Sequence, residues 1–185
     1  MPEVRQLTRS ELEAGLDSIR QSPKQEGRLA LIVRRPAIDK REVLEEGNLD
    51  LQEGLVGDTW RTRGSPRNAD GSPDTEMQLT IMNVHVITLL AQSKERWTLA
   101  GDQLFVDFDL SLGNLPVGTR LALGTAVVEV TAQPHTGCSK FMSRFGTEAL
   151  KFVNSPLGTQ LRLRGLNAKV VKPGTIRVGD MMKKL

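Results

Sequence analysis

The chain has 185 residues, 38% of them hydrophobic and 25% charged, with a formal net charge of +3. That length and balance suit a single well-cored globular domain and exclude a disordered chain. Apolar runs fall short of the roughly 18 residues of a membrane-spanning helix, and the absence of Tyr with 4% aromatic residues argues against a nucleic-acid surface, which needs a basic stripe and stacking rings. The single cysteine, Cys138, cannot form an internal disulfide. The opening Met1-Pro-Glu-Val-Arg-Gln6 lacks the apolar segment of a secretory signal, so the expected location is the cytoplasm, with a reduced thiol.

In chain order, Thr8-Arg-Ser-Glu11 has the form of a capping box, and Leu12, Leu16 and Ile19 follow at helical spacing. A helix over about 9–21 is predicted, ended by Ser22-Pro23 and laid over the main domain. Leu29–Arg34 reads as a buried strand. Residues 41–60 are charged and punctuated by Gly54, Gly57 and Asp58, which are turn signals. Residues 61–73 are the most loop-like part of the chain and carry Arg61, Arg63 and Arg67, which suit solvated charge and ligand binding equally. Met77–Met82 alternates as a strand. Asn83 caps a helix over Val84–Ala91, within which His85 carries no functional signal.

Leu104–Leu110 is a further strand, and Thr119–Leu123 with Ala126–Thr131 form a hairpin about Gly124-Thr125. Ser155-Pro156 opens a short helix. Leu166–Val171 and Thr175–Val178 are strands on either side of Pro173-Gly174, and Gly179-Asp180 is a turn. The count is seven or eight short strands with three or four inserted helices and no parallel strand–helix alternation. The expected fold is mainly β with inserted helices, either a barrel or a partly closed antiparallel sheet. An N-terminal helical extension (1–27) precedes the β domain (28–185).

The chemistry concentrates between Val130 and Gly146. Cys138 sits where a Pro/Gly turn enters a helical pattern, with His135, Lys140 and Arg144 nearby, a setting that favours a thiolate. The competing reading is periodic. Cys138, Phe141, Met142, Phe145, Ala149, Phe152 and Val153 share one helical face, so the thiol would be a small core residue. Gly146-Thr147 would split that helix, with Thr147 capping the second half. A Cys138–His135 pair, as in a hydrolase, is a further possibility. Phosphate-loop and dinucleotide motifs are absent from the sequence, and two histidines with one cysteine do not make a usual zinc site.

Three segments occur in the order of a known family: Gly54-Leu-Val-Gly-Asp-Thr-Trp60, Gly137-Cys138 after a hairpin, and Gly174-Thr-Ile-Arg-Val-Gly-Asp180. Over residues 28–185 the chain resembles the MOSC domain, found at the C-terminus of molybdenum-cofactor sulfurases and as free-standing bacterial proteins. The resemblance implies a β-barrel fold and association with the molybdenum cofactor (molybdopterin). It further implies that Cys138 carries sulfur as a persulfide or ligates molybdenum, with His135 orienting or deprotonating the thiol. Arg61, Arg63, Arg67, Lys140 and Arg144 would hold the cofactor's anionic group. Some relatives reduce N-hydroxylated compounds. Pyridoxal phosphate enters the family through a fused desulfurase domain, so this chain is not expected to bind it. Sulfur or electrons would come from a separate cysteine desulfurase or redox partner. Many relatives carry Arg/Glu-x-Asn ahead of the central strand, whereas here Asp102-Gln103 stand there. The alternative function is a non-catalytic anion- or protein-binding barrel with an inert cysteine.

Overall fold

A computed structural model describes residues 4–185. Residues 1–3, the start of the stretch read as an extension, lie outside the described residues. The elements in chain order begin with helices α1 (Arg9–Ala14) and α2 (Leu16–Arg20), then strands β1 (Glu26–Arg34), β2 (Glu42–Leu44), β3 (Glu46–Asp50) and β4 (Gly54–Leu55). The short helix α3 (Trp60–Arg63), a 3-10 turn at Thr75–Met77, β5 (Leu79–Asn83) and α4 (Val84–Ala91) follow. A second 3-10 segment (Lys94–Ala100) leads to β6 (Leu104–Asp107), β7 (Arg120–Leu123) and β8 (Ala126–Val130). Last come α5 (Ser139–Phe145), α6 (Thr147–Asn154), α7 (Pro156–Leu161), β9 (Leu166–Lys172), β10 (Gly174–Arg177) and β11 (Met181–Lys184).

Seven strands close in the order β1-β11-β7-β8-β9-β5-β6, back to β1, with β2 paired to the far end of β1. Closure removes the exposed edges an open sheet would carry. The barrel is mixed, because β5 and β6 run parallel. That pair corrects the expectation that parallel strand–helix alternation is absent: α4 and the 3-10 segment form the crossover. β11 makes the closure, pairing Glu26–Arg28 with Met181–Lys183 on one side and β7 on the other. β3, β4 and β10 form a separate three-stranded sheet.

Alternation of side chains explains where the two cores sit. Leu79 and Ile81 of β5, and Leu104 and Val106 of β6, point into the barrel with the inward residues of β7, β8 and β9. Met82 and Phe105 point outward, into a second core under the helices. In β1, Leu29 and Ile32 both face inward although three positions separate them. A strict period of two forbids that, and a bulge between Leu29 and Leu31 supplies the extra residue. Leu31 and Val33 then face the helices.

The outer core takes Leu12, Leu16 and Ile19 from the N-terminal helices and Phe141, Phe145, Ala149, Phe152 and Val153 from α5 and α6. The Thr8/Glu11 capping box forms as predicted, and Gly15 breaks the expected single helix into two. Gly146, at φ +98°, divides α5 from α6 and is itself the N-cap of α6. Thr147 is therefore the first helical residue and not the cap.

One row of paired residues, Ile32–Leu104–Ile81–Leu166, crosses four neighbouring strands. It gathers the residues that flank it, among them Arg35, Asp102 and Arg164, into one region.

Candidate functional site

Cys138 is the N-cap of α5. Its backbone is extended (φ −120°, ψ −178°), and its carbonyl accepts the Met142 N–H at 2.9 Å. Its side chain therefore stands before the helix and is exposed, unlike Phe141 and Phe145 on the buried stripe behind it. The expectation that Cys138 belongs to that stripe as a core residue does not hold. The preceding Gly137 is clamped by Asn154, which accepts its N–H at 2.8 Å and donates to its carbonyl at 3.1 Å. A Cβ on Gly137 would lie 2.7 Å from Leu150 Cδ1, so glycine lets the loop lie against α6.

Cys138 lines a cavity of about 240 Å³ together with six cationic side chains, Arg35, Arg41, Arg63, Lys140, Arg144 and Arg164, and one carboxylate, Asp39. Two of the six have buried counter-ions. Arg35 donates to both oxygens of Asp58 (2.9 and 2.7 Å) and to the Gly101 carbonyl (3.1 Å). Burial alone would push the Asp58 carboxyl up, but the Arg35 guanidinium outweighs it and holds the group below its ordinary value. Arg164 donates to Asp102 Oδ2 at 2.6 Å and to the Ala100 carbonyl at 2.9 Å, and its guanidinium lies 5.0 Å from the Phe141 ring centre.

The other four are less fully paired. Lys140 and Arg144 share the exposed Asp39, at 3.7 and 3.5 Å. Arg41 donates to the Lys40 carbonyl, while its Nε is buried with no partner among the described residues. Burial, followed by repulsion from Arg144 and Arg35, lowers the pKa of Arg41. Gly101 opens the space between guanidinium groups. Its φ of +86° favours glycine, and a Cβ there would stand 3.7 Å from Arg41 Nη2 and 3.9 Å from Arg144 Nη1. Cationic crowding of this kind, with an unpartnered donor beside it, is suited to an oxyanion.

The remaining predicted residues lie elsewhere. Arg61 is exposed and 4.0 Å from Glu53, and Arg67 is 3.4 Å from Asp74 in a separate hollow beside Trp60. His135 does not line the cysteine cavity. Its Nε2 is 2.8 Å from Asp102 Oδ1, and the ring faces a second cavity. Burial, then the Arg164 charge, lowers the His135 pKa against the opposing pull of Asp102. Burial would raise Asp102, but Arg164 and His135 bring it below the usual carboxylate range. The neutral ring thus donates Nε2–H to an ionised Asp102, which in turn holds Arg164.

Asp102 and Gln103, at the place of the relatives' Arg/Glu-x-Asn, are both fully buried. Gln103 Oε1 accepts from Thr80 N–H and Oγ1, and its Nε2 donates to Asp58 at 3.3 Å. These two side chains hold Arg164 and Asp58 from beneath and do not line the cavity. His85 ties two elements together, with Ser18 Oγ 2.9 Å from Nδ1 and Asp107 Oδ1 3.0 Å from Nε2. Sequence reasoning missed Arg35, Arg41 and Arg164. The Arg34-Arg35-Pro36 run closing a buried strand, and Arg162-Leu-Arg164 opening another, were the available signals.

Among the described residues, no group of three or more His, Cys, Asp or Glu side chains is placed to hold a metal ion. No described helix is long and apolar enough to cross a membrane.

Comparison with known proteins bears on the fold and on descent. The YuaD protein of Bacillus subtilis superposes with a TM-score of 0.62 at 16% identity, covering 86% of this chain and 95% of its own. YiiM from Escherichia coli superposes with a TM-score of 0.55 at 18% identity, covering 85% of this chain and 69% of its own. No curated protein matches in sequence. The MOSC domain profile matches residues 85–183, which run from α4 through β11 and take in Cys138, Lys140, Arg144 and Arg164. With more than half of its length matched, the chain belongs to the MOSC domain family.

Proposed function

We propose that this protein binds the pterin-based molybdenum cofactor associated with its family and presents Cys138 to it. The observation that carries this reading is the exposed thiol on the lining of a cavity rich in guanidinium groups. The residues fit such a group. The buried, unpartnered Nε of Arg41 and the cradle over Gly101 suit a phosphate or oxyanion, and thiolate sulfur is a soft ligand for molybdenum. When bound, the cofactor would supply a metal centre for two-electron chemistry, including reduction of N-hydroxylated compounds. Arg41, Arg63, Lys140 and Arg144 would bind and orient its anionic part, and Asp102 would keep Arg164 in place beneath it. His135 would act through Asp102 as a positioning residue.

The exposure of Cys138 also supports sulfur carriage. Ile38 is 83% exposed and lines the same cavity, which suits docking of a partner. A cysteine desulfurase persulfide would pass its outer sulfur to the Cys138 thiolate. The partner's S–S bond breaks, a new S–S bond forms on Cys138, and the partner cysteine leaves as thiolate.

The test is purification from a host that makes the cofactor, followed by molybdenum and pterin analysis of wild type and Cys138→Ala. Pterin in both, with molybdenum diminished in the variant, is the expected result. Cyanide-releasable sulfur on wild type alone would identify carriage. Wild type that takes up neither pterin nor molybdenum when mixed with purified cofactor, and accepts no sulfur from a desulfurase, refutes the proposal and leaves an anion- or protein-binding barrel.

A further inference from the structure

Behind the loop that leads to Cys138 lies a second cavity, of about 260 Å³. Asn167 lines it and is fully buried. Its Nδ2 donates to the Gln133 carbonyl at 3.0 Å, which fixes the orientation of the amide. Oδ1 is left without a hydrogen-bond partner among the described residues. A buried acceptor in this state is held at a cost until a donor reaches it. The His135 ring lines the same cavity. Asp102 takes Nε2, so Nδ1 is the acceptor of the neutral ring.

The walls state what such a donor must look like. Pro134, Leu112 and Val117 present apolar surface, and the last two are 43% and 56% exposed at the rim. Arg162, whose Nη1 donates to the Leu110 and Leu115 carbonyls, also lines the cavity, and its charge opposes a cation. The two acceptors oppose a carboxylate.

We propose that this cavity is a second binding site, for a neutral small molecule that offers N–H donors on an apolar body, the class of primary carboxamides. Asn167 Oδ1 and His135 Nδ1 receive the donors, and the apolar rim covers the body. The site is separate from the cationic cavity and does not depend on the molybdenum reading.

The experiment is an amide-resolved NMR titration of the ¹⁵N-labelled full chain with benzamide, N,N-dimethylbenzamide and benzoate. Benzamide is expected to shift the amides of residues 131–133, 135, 136 and 158–167, with the two controls at least roughly tenfold weaker because they lack the N–H donors or carry charge. Val117→Arg, at the exposed rim, should weaken benzamide by a similar factor while leaving the rest of the spectrum unchanged. Asn167→Leu, if its spectrum shows a folded protein, should erase the preference for benzamide over its dimethyl analogue. Equal binding of both amides, shifts confined to other surfaces, or no shift up to the solubility limit overturns the proposal. None of these outcomes alters the molybdenum or pterin content of the purified protein, so the two readings fail separately.

Discussion

Replacing Asp102 by Asn tests the electrostatic arrangement under the cysteine cavity. Asp102 is fully buried and bonded at 2.6 Å to Arg164 and 2.8 Å to His135, while Arg164 is 6% exposed. Asn has the same shape but no charge. With its oxygen toward His135, its amide N–H groups meet the Arg164 donors head-on. Turned the other way, it restores a hydrogen bond to Arg164 but still leaves the guanidinium without a counter-ion. Removing one partner of a buried pair costs about 3–5 kcal/mol. For a chain of this length that is a fall in Tm of about 6–20 °C. Urea unfolding at pH 7.5, in low and high salt, measures it, and salt should change the loss little because both groups are sheltered from solvent. Asp102→Asn combined with Arg164→Met should recover part of the loss, since a neutral side chain beside Phe141 needs no counter-ion. A loss under about 1 kcal/mol in the single variant would refute the view that Asp102 neutralises Arg164.

The lowered pKa of His135 sets a pH window. The unfolded state takes up the proton first, below about pH 6.5, so this contribution to stability is present above that value and is lost as the pH falls toward the folded-state pKa, with a slope of at most about 1.4 kcal/mol per unit. His135→Gln should flatten the urea midpoint between pH 7.5 and 5.5, and an unchanged pH dependence would contradict it. Cys138 is exposed, so iodoacetamide should modify it in the native protein without denaturant; labelling that appears only on unfolding would show a sheltered thiol. Arg41→Gln should weaken inorganic phosphate binding, followed by calorimetry, roughly ten- to hundredfold, the worth of a charge-assisted hydrogen bond. Asp39→Asn should strengthen that binding by less than about fivefold, because Asp39 is exposed where it meets Lys140 and Arg144. An effect of Arg41→Gln no larger than that of Arg61→Gln would mean that phosphate does not use the cavity.

The elements legible in the sequence are those whose signals are local. Asn83 accepts the His85 and Val86 N–H groups, and α4 spans Val84–Ala91 as read. The hairpin of β7 and β8 and the Pro-started α7 carry their own turn and cap chemistry. β2, β3 and β4 were hidden because Glu42–Leu55 is charged and punctuated by glycine, and the pairing of β3 depends on β10, which is distant in sequence. β11 was missed because Met181–Lys184 has a single fully buried residue, Met182. In the site, Cys138, Lys140 and Arg144 were legible as neighbours on one segment. Arg35 and Arg41 come from the β1–β2 loop and Arg164 from the segment before β9, two stretches that meet only through the barrel register. Arg61 and Arg67 looked equivalent to Arg63 by composition, and only the turn of α3 separates Arg63, which reaches the cavity, from Arg61, which pairs with Glu53.

The seal between Glu26–Arg28 and Met181–Lys183 bears on how the protein acquires its shape. The contact joins residues about 155 apart in sequence, so ring closure carries a large share of the search and places this fold among the slower, high-contact-order architectures. On the ribosome, the first six staves of the ring wait with two bare margins until the final one emerges. A cut just after Asp180 would leave β1 and β7 with unpaired backbone, ready to join another molecule's strand.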